Sequence, residues 1–278
     1  MKWIITGDCH GEFSRFWNLP KEVKTAIIVL GDFGINYYLN KTDIRKKKEL
    51  YNNYPNFIFY CVRGNHEARP QDIPTMKKVF DDNVHGVVYC EPEYPNIRYF
   101  LDHGLYDINN YSCYVIGGAY SVDKYWRLSR FNMTEETNIS KSTGWFANEQ
   151  LTKEEMYEAN KELYKFTSTG KIIDFVFSHT CPYSWEPRDM FLSSVDQSTV
   201  DDTMEKWMDD IKEKFNWDIW CFGHFHADRI ERSHVEQFYK DMEELDEIVD
   251  RWKKYDDTKE LPWYLTKGPN FNLCSSQF

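Results

Sequence analysis

The sequence contains no Cys-x-x-Cys pair, and none of its apolar runs approaches the length of a membrane-spanning helix. Its seven cysteines are odd in number, and Cys61 and Cys221 lie in short apolar runs, where cysteine behaves as a small hydrophobic residue. The apolar stretch Trp3–Thr6 is far too short to be the core of a secretory signal. We therefore expect a cytoplasmic protein with reduced thiols and no membrane partner.

An excess of positive charge is also missing. The formal net charge is −11 and the isoelectric point is about 5.3. Such a field repels long duplex nucleic acid and anionic membranes, but it is compatible with a local pocket made positive by bound metal. The longest basic run, Arg45–Lys48, is followed by Glu49 and is interpreted as the solvated face of a helix. No feature specifies a protein partner.

The chain has no linker rich in Gly, Pro or Ser and no internal repeat. Short apolar runs rich in Ile, Val and Phe alternate with helix-like stretches, which predicts an α/β fold with a parallel or mixed sheet. The predicted strands are Trp3–Thr6, Ala26–Leu30, Phe57–Val62, Tyr114–Ile116, Ile172–Phe177 and Ile219–Phe222. The predicted helices are Lys41–Tyr54, Ala147–Phe166 and Thr199–Phe215.

The character of the sequence changes after Asp228. The segment Val235–Tyr255 is acidic and predicts a short strand that leads into a helix. The segment Leu261–Phe278 contains two prolines and several aromatic residues. We therefore predict a main domain over residues 1–232 and a C-terminal helical appendage, residues 233–278, packed on the same domain.

Side chains able to bind a metal follow five of the apolar runs. The five segments are Gly7-Asp8-Cys9-His10-Gly11, Gly31-Asp32-Phe33-Gly34, Gly64-Asn65-His66-Glu67, Ser178-His179-Thr180 and Gly223-His224-Phe225-His226. In α/β sheets, ligands sit beyond the carboxyl ends of the strands, so these five turns are expected to converge. Five of the eight histidines fall in this set. The other three, His85, His103 and His234, have no such setting.

The donor types indicate which metals the site prefers. Carboxylate, imidazole and amide donors without a thiolate favour Mn²⁺, and Fe, Zn²⁺ and Mg²⁺ remain open. Asp8 and His10 are two residues apart, as are His224 and His226, so each pair points to one side of an extended backbone. Glycine precedes the first candidate ligand in four of the five turns, where it permits a positive φ or a close backbone approach.

The five blocks, in this order over roughly Met1–Asp228, resemble the calcineurin-like metallophosphoesterases. The resemblance implies an αββα four-layer sandwich that binds two divalent metal ions and hydrolyses phosphate esters with a metal-bridging hydroxide. It implies that Asp32 bridges the two metals and that His66 is an outer-sphere acid near the substrate. One metal would be held by Asp8, His10, Asp32 and His226, and the other by Asp32, Asn65, His179 and His224. The stretches Gly117–Lys124, Ser178–Pro182 and Cys221–Asp228 are similar to a small bacterial and phage-borne subgroup.

The second block departs from the protein Ser/Thr phosphatases of this superfamily. Those enzymes continue Gly-Asp with an Asp that orients the acid His and an Arg that grips phosphate, whereas Gly31-Asp32 is followed by Phe33-Gly34-Ile35-Asn36. We therefore expect the positive charge for the substrate to come from Arg63, Lys124 or Arg127, which lie close to motif residues in the sequence.

Several functional alternatives remain open at this stage. The resemblance is compatible with phosphomonoesterase activity and with phosphodiesterase or nuclease activity on nucleotides or single-stranded nucleic acid. The acidic net charge favours a small phosphorylated or nucleotide substrate. A non-catalytic scaffold with the same fold is the alternative of another class, and the presence of all the ligand positions argues against it. A Rossmann-like nucleotide site is disfavoured because no G-x-G-x-x-G follows a strand.

Overall fold

The computed structural model describes residues 1–130, 144–191, 193 and 195–260. Within these residues the chain forms two sheets and five α-helices. No helix in the described part is both long and apolar enough to cross a membrane. The predicted segment Leu261–Phe278 lies outside the described residues.

The first sheet has seven strands in the order β13-β1-β2-β3-β6-β5-β4. Strands β1, β2, β3 and β6 run parallel, and β13, β5 and β4 pair antiparallel at the two sides. Their bounds are β1 (Lys2–Thr6), β2 (Thr25–Val29), β3 (Phe57–Cys61), β4 (Lys77–Asp81), β5 (Gly86–Cys90), β6 (Ile97–Phe100) and β13 (Met242–Glu244). The central strands are buried on both faces, which explains why they are continuous apolar runs.

The second sheet has six strands in the order β11-β12-β10-β9-β8-β7. Strands β8, β9, β10 and β12 run parallel, and β7 and β11 pair antiparallel at the edges. Their bounds are β7 (His103–Ile108), β8 (Tyr111–Ile116), β9 (Ile173–Ser178), β10 (Trp217–Phe222), β11 (Arg229–Arg232) and β12 (Val235–Gln237).

The helices begin and end at recognisable signals. They are α1 (Lys41–Asn53), α2 (Lys124–Arg130), α3 (Lys153–Thr167), α4 (Thr203–Lys214) and α5 (Leu245–Thr258). The Asn40 side chain caps α1, and Thr152 with Glu155 forms a capping box at the start of α3. The cap at Thr152 explains why α3 begins six residues after the predicted start at Ala147.

Three apolar clusters define the layers. Ile28 of the first sheet and Phe177 of the second lie in one cluster between the sheets. The opposite face of the first sheet packs on Leu50 of α1, and the opposite face of the second packs on Met156 of α3 and Met208 of α4. The predicted αββα sandwich is therefore confirmed.

The segment after residue 232 is built into both sheets. Strand β12 extends the second sheet beside β10, and β13 pairs antiparallel with β1 at the edge of the first. Helix α5 buries Leu245, Ile248 and Trp252 in the cluster between the sheets. This segment therefore contributes strands and core residues as well as the predicted helix.

The basic run in α1 is only partly a solvated face. Arg45 and Lys48 are exposed as predicted. The prediction is wrong for Lys47, which is buried and pairs with Glu91 at 2.5 Å between Nζ and Oε2. It is also wrong for Lys46, whose Nζ donates to the Gly34 carbonyl at 3.0 Å. Both aliphatic stems reach past the helix toward partners in other loops, which a helical pattern alone does not reveal.

Candidate metal centre

The turns that follow β1, β2, β3, β9 and β10 bring the predicted ligands to one edge of the sandwich. These strands run parallel within each sheet, so their carboxyl ends lie side by side. Contacts between side chains of the two sheets close the site, among them His10 with His226 and Asp32 with His179.

One group of ligand atoms lies toward the surface. The Nε2 atoms of His10 and His226 are 2.9 Å apart. Asp8 Oδ2 lies 3.7 Å from His10 Nε2 and 3.3 Å from His226 Nε2. These three residues offer one ligand atom each within 4.8 Å of one another, and we call them the outer set.

A second group lies deeper and shares Asp8. Asp8, Asp32 and His179 also offer ligand atoms within 4.8 Å of one another, and we call them the inner set. His179 Nε2 is 3.7 Å from Asp32 Oδ2 and 2.8 Å from Asn65 Oδ1. The His224 ring lies beside His179, with ring centroids 4.9 Å apart. Asp8 is the member common to both groups, whereas the resemblance assigns the shared position to Asp32.

Four of the predicted ligands have backbone conformations that are rare for residues other than glycine. The φ angles of His10, Asp32, His224 and His226 are 49°, 43°, 68° and 54°. Each such residue costs on the order of 1–3 kcal/mol and persists only where its surroundings impose it. Backbone strain at four residues whose side chains lie in one cluster is typical of a functional site.

The glycines that precede the ligands make room for the side chains of neighbouring turns. A Cβ at Gly31 would overlap the His179 ring, and one at Gly64 would overlap the Asp32 carboxylate. A Cβ at Gly223 would overlap Asp8 in the same way. The side chains of neighbouring turns therefore require glycine at these three positions, and the approach of the backbone to a bound anion stays a prediction.

A sequence profile of the calcineurin-like phosphoesterases matches residues 1–228. The chain belongs to this family. It is a phosphoric ester hydrolase of a metal-dependent class. No curated protein sequence matches the chain.

Two solved structures match this phosphoesterase at low similarity. The phosphopantetheinyl hydrolase of Mycobacterium tuberculosis has a TM-score of 0.40 and 12% identity, covering 93% of this chain and 93% of that chain. A protein serine/threonine phosphatase of Saccharomyces cerevisiae, similar to a human phosphatase, has a TM-score of 0.32 and 13% identity, covering 86% of this chain and 67% of that chain.

The donor atoms of this phosphoesterase fit divalent cations. Asp8 Oδ2 is buried and has no hydrogen-bond partner among the described residues, although it faces the imidazoles of His10 and His226. A buried carboxylate oxygen without a donor is unfavourable unless a cation compensates it. The other Asp8 oxygen accepts from the His224 backbone N–H at 2.9 Å, which fixes the carboxylate with Oδ2 toward the ligands.

The protonation states also suit metal binding. Burial alone would raise the pKa values of Asp8 and Asp32, but His179 and the other nearby histidines outweigh it and hold both values below the ordinary range. Burial lowers the pKa of His224 to about 3 and that of His10 below its usual value. The carboxylates are therefore ionised and these two imidazoles neutral at neutral pH, as metal ligands must be.

Hydrogen bonds behind the ligands orient the inner set. His179 Nδ1 donates to the Leu30 carbonyl at 2.8 Å, so Nε2 is the nitrogen left to bind a metal. Asn65 Nδ2 donates to Ser121 Oγ at 2.8 Å, and Ser121 Oγ donates to Glu149 Oε2 at 2.5 Å. These two hydrogen bonds orient the Asn65 amide so that its oxygen faces His179.

His66 lies at the rim of the site beside a cation. Its backbone N–H donates to Asp32 Oδ1 at 2.9 Å, and its Nε2 is 3.4 Å from Arg127 Nη2. Burial, with Arg127 adding to it, lowers the pKa of His66 to about 4. Arg127 is held by Asp123 and by the Tyr37 hydroxyl at 2.5 Å. An ion pair and a tyrosine hydroxyl therefore hold the Arg127 guanidinium beside the His66 ring.

The two other predicted substrate residues are placed differently. Arg63 is 1% exposed, and its Nε pairs with Asp102 Oδ1 at 2.7 Å. Its Nη1 donates to the Glu149 carbonyl at 2.8 Å, so structural partners account for most of this side chain. The Lys124 ammonium lies 4.9 Å from the centroid of the Trp145 ring. Among the three, Arg127 is the one that contacts His66.

Some residues that shape the site were not singled out from the sequence. Glu67 accepts from the backbone N–H groups of Gly34 and Gly64 at 3.1 and 3.3 Å and so joins two of the ligand turns. Its place in the Gly-Asn-His-Glu block is a signal that could have found it. Ser121 lies within Gly117–Lys124, one of the stretches similar to the bacterial and phage-borne subgroup, but nothing local in the sequence links it to Asn65.

Proposed function

We propose that this phosphoesterase binds two divalent metal ions, with Mn²⁺ preferred, and hydrolyses small phosphorylated or nucleotide-like esters. The observation that carries the proposal is the pair of overlapping ligand groups that share Asp8, whose Oδ2 is buried without another partner among the described residues. His10 and His226 would complete the outer ion. The coordination of the inner ion would be completed by Asp32, Asn65, His179 and His224.

Two such ions, when bound, supply Lewis-acid stabilisation of phosphoryl oxygens and lower the pKa of water toward 7. The protein residues around them position the ester. Arg127 is fixed by Asp123 and Tyr37 and presents its guanidinium at the His66 side of the site. A guanidinium is suited to hold a phosphate oxygen through paired N–H donors. Arg127 is therefore assigned as the substrate-binding cation.

His66 is assigned as the proton donor to the leaving oxygen. When Arg127 Nη2 donates to Nε2, the ring proton resides on Nδ1. Nδ1 is buried and has no hydrogen-bond partner among the described residues. In this neutral form it gives a hydrogen bond to the leaving oxygen, and it transfers a proton only from the imidazolium, which forms once the Arg127 guanidinium turns from Nε2 to the phosphate and Nε2 takes up a proton.

The proposed substrate size follows from charge. The chain is acidic overall, and the helix that borders His66 carries three cations, Lys124, Arg127 and Arg130. A long polyanion would meet repulsion from most of the surface, whereas a small ester needs only the metals and one guanidinium. We also propose a reducing compartment, because the six cysteines in the described residues are all buried and unpaired.

The test combines metal analysis with paired substrates. Purified chain reconstituted with Mn²⁺ is expected to bind two equivalents and to hydrolyse p-nitrophenyl phosphate, bis-p-nitrophenyl phosphate or both. The ratio of the two rates separates monoesterase from diesterase activity. The Arg127→Ala variant is expected to raise KM, with Arg130→Ala as the matched control on the same helix. Binding of no divalent metal, or no hydrolysis of either ester in the two-metal form, would overturn the proposal.

A further inference from the structure

The imidazole of His226 is covered by an aromatic ring from outside the span that matches the family. Tyr239, in the connection between β12 and β13, stacks on His226 with ring centroids 4.8 Å apart and an interplanar angle of 17°. The family profile ends at residue 228. One side of the site is therefore formed by a part of the chain that contains none of the predicted ligands.

A carboxylate next to the ligand turn fixes this connection. Asp228 lies two residues after His226, and Oδ1 accepts from the backbone N–H groups of Tyr239 and Asp241 at 2.6 and 3.0 Å. Its Oδ2 accepts from the Lys240 N–H at 3.0 Å. One carboxylate therefore gathers three consecutive N–H groups and holds the Tyr239 backbone against the turn that bears His226.

A second clamp joins the same connection to the first ligand turn. Arg15 Nη1 donates to the Tyr239 carbonyl and to Thr6 Oγ1. Arg15 Nη2 donates to the Asp8 carbonyl at 2.7 Å. The backbone of Tyr239 is therefore tied both to Asp8 and to the His226 turn, which are two of the three members of the outer set.

His226 is the member of the outer set that most needs external support. Its side chain is 42% exposed, compared with 21% for His10 and 0% for Asp8. Its φ angle is 54°, so the backbone does not favour the observed conformation. Rotation of the ring away from Asp8 is opposed on one face by Tyr239.

We propose that Tyr239 is a positioning residue for His226, holding the imidazole so that its Nε2 faces Asp8 and His10. The inference rests on the proposed binding of two divalent ions, and it predicts that the outer ion depends on Tyr239 while the inner ion does not. Partners that orient a metal-binding histidine typically contribute 10–100-fold to metal affinity.

Calorimetric titration of the metal-free chain with Mn²⁺ tests the proposal without any substrate. The Tyr239→Ala variant is expected to bind one of its two Mn²⁺ ions about 10–100-fold more weakly and the other with unchanged affinity. Tyr239→Phe keeps the ring face and is expected to restore the wild-type affinity. Tyr164→Ala on α3 removes a tyrosine that is 71% exposed and is the matched control, expected to change neither ion.

The outcomes separate positioning from general stability. Equal weakening of both ions together with a lower melting temperature of the metal-free chain, or a failure of Tyr239→Phe to restore binding, would overturn the assignment. So would wild-type affinity for both ions in Tyr239→Ala. If the Ala variant does not fold, Tyr239→Leu keeps the apolar volume without the planar face and is expected to lose the same single ion. A chain that binds two Mn²⁺ ions but hydrolyses no ester would contradict the proposed function and leave this inference testable.

Discussion

The inner and outer sets share Asp8 but are supported in different ways. Asp32 and His179 are 2% and 0% exposed, and His179 is oriented by the buried Leu30 carbonyl. Behind Asn65, which contacts His179, stand Ser121 and Glu149, both buried. His10 is partly exposed and His226 is exposed, and the Tyr239 ring stacks on His226. Two adjacent groups of candidate ligands with similar donors can thus differ in burial and in the partners behind them.

The largest effect is expected from the loss of a carboxylate in the inner set. Asp32→Asn removes a negative charge from the inner set and from the electrostatic field on His10, so turnover is expected to fall about 10³-fold or more, since bound metals contribute several kcal/mol to phosphoryl transfer. Steady-state rates and metal content by elemental analysis provide the measurement. Asp107→Asn, an exposed change on β7, is the control. Near-normal turnover in Asp32→Asn would remove it from the metal centre.

His66 allows the chemistry to be changed while both sets are left intact. His66→Ala is expected to slow hydrolysis of an alkyl phosphate by roughly 10²–10⁴-fold because the leaving oxygen loses its proton donor. The loss for p-nitrophenyl phosphate is expected to be smaller, since that leaving group needs less protonation. Metal content should not change. His103→Ala, which removes a histidine paired with Glu162, is the control. An unchanged rate on the alkyl phosphate in the His66→Ala variant would exclude His66 as the acid.

The support behind the inner set can be removed without touching a predicted ligand. Ser121→Ala deletes the hydroxyl that accepts from Asn65 and donates to Glu149, so affinity for the inner ion is expected to fall about 10–100-fold. Titration with Mn²⁺ measures the change. Ser129→Ala on α2, whose hydroxyl donates only to a local carbonyl, is the control. A loss of affinity confined to the outer ion would show that Ser121 does not support the inner set.

The smallest expected effect is the difference in affinity between the two ions of the unmodified protein, which sets the order in which a chelator removes them. Stepwise addition of a chelator to the two-metal chain is expected to remove the outer ion first, at a free-metal concentration about tenfold higher than the inner ion, because exposed ligands reorganise more freely. The first step should be absent in His226→Ala. A single step in the wild type, or a first step that survives in His226→Ala, would show that the two sets do not differ in this way.

Much of the fold could be predicted because its central strands are buried on both faces. The bounds of β1, β2 and β3 differ from the predicted runs by at most one residue at each end. The strands β4 to β7 were not predicted. Strand β4 is mostly exposed and carries Lys77, Lys78 and Asp81, so it has no apolar run to indicate a strand. Pairing with β5 and packing of the hairpin, rather than local pattern, make it a strand.

The candidate site divides in the same way. The predicted ligands could be named from the sequence because each follows a strand end, and the rule for parallel strands brings such positions together. Ser121 contacts Asn65, which lies 56 residues earlier in the sequence, and Tyr239 stacks on His226 of the preceding ligand turn and is held by Arg15 near the start of the chain. No spacing rule connects such partners, so only the three-dimensional arrangement reveals the residues that orient the ligands.

The pairing of β1 with β13 also has a consequence for biosynthesis. Residues 4–6 hydrogen-bond with residues 242–244, so one edge of the first sheet stays open until the ribosome has released most of the chain. Contacts between residues this far apart in sequence form slowly, and the exposed edge is prone to association in the meantime. In a nascent chain, the contact of Tyr239 with the turn that bears His226 and the pairing of β13 beside Asp8 therefore form only after residues 242–244 have left the ribosome.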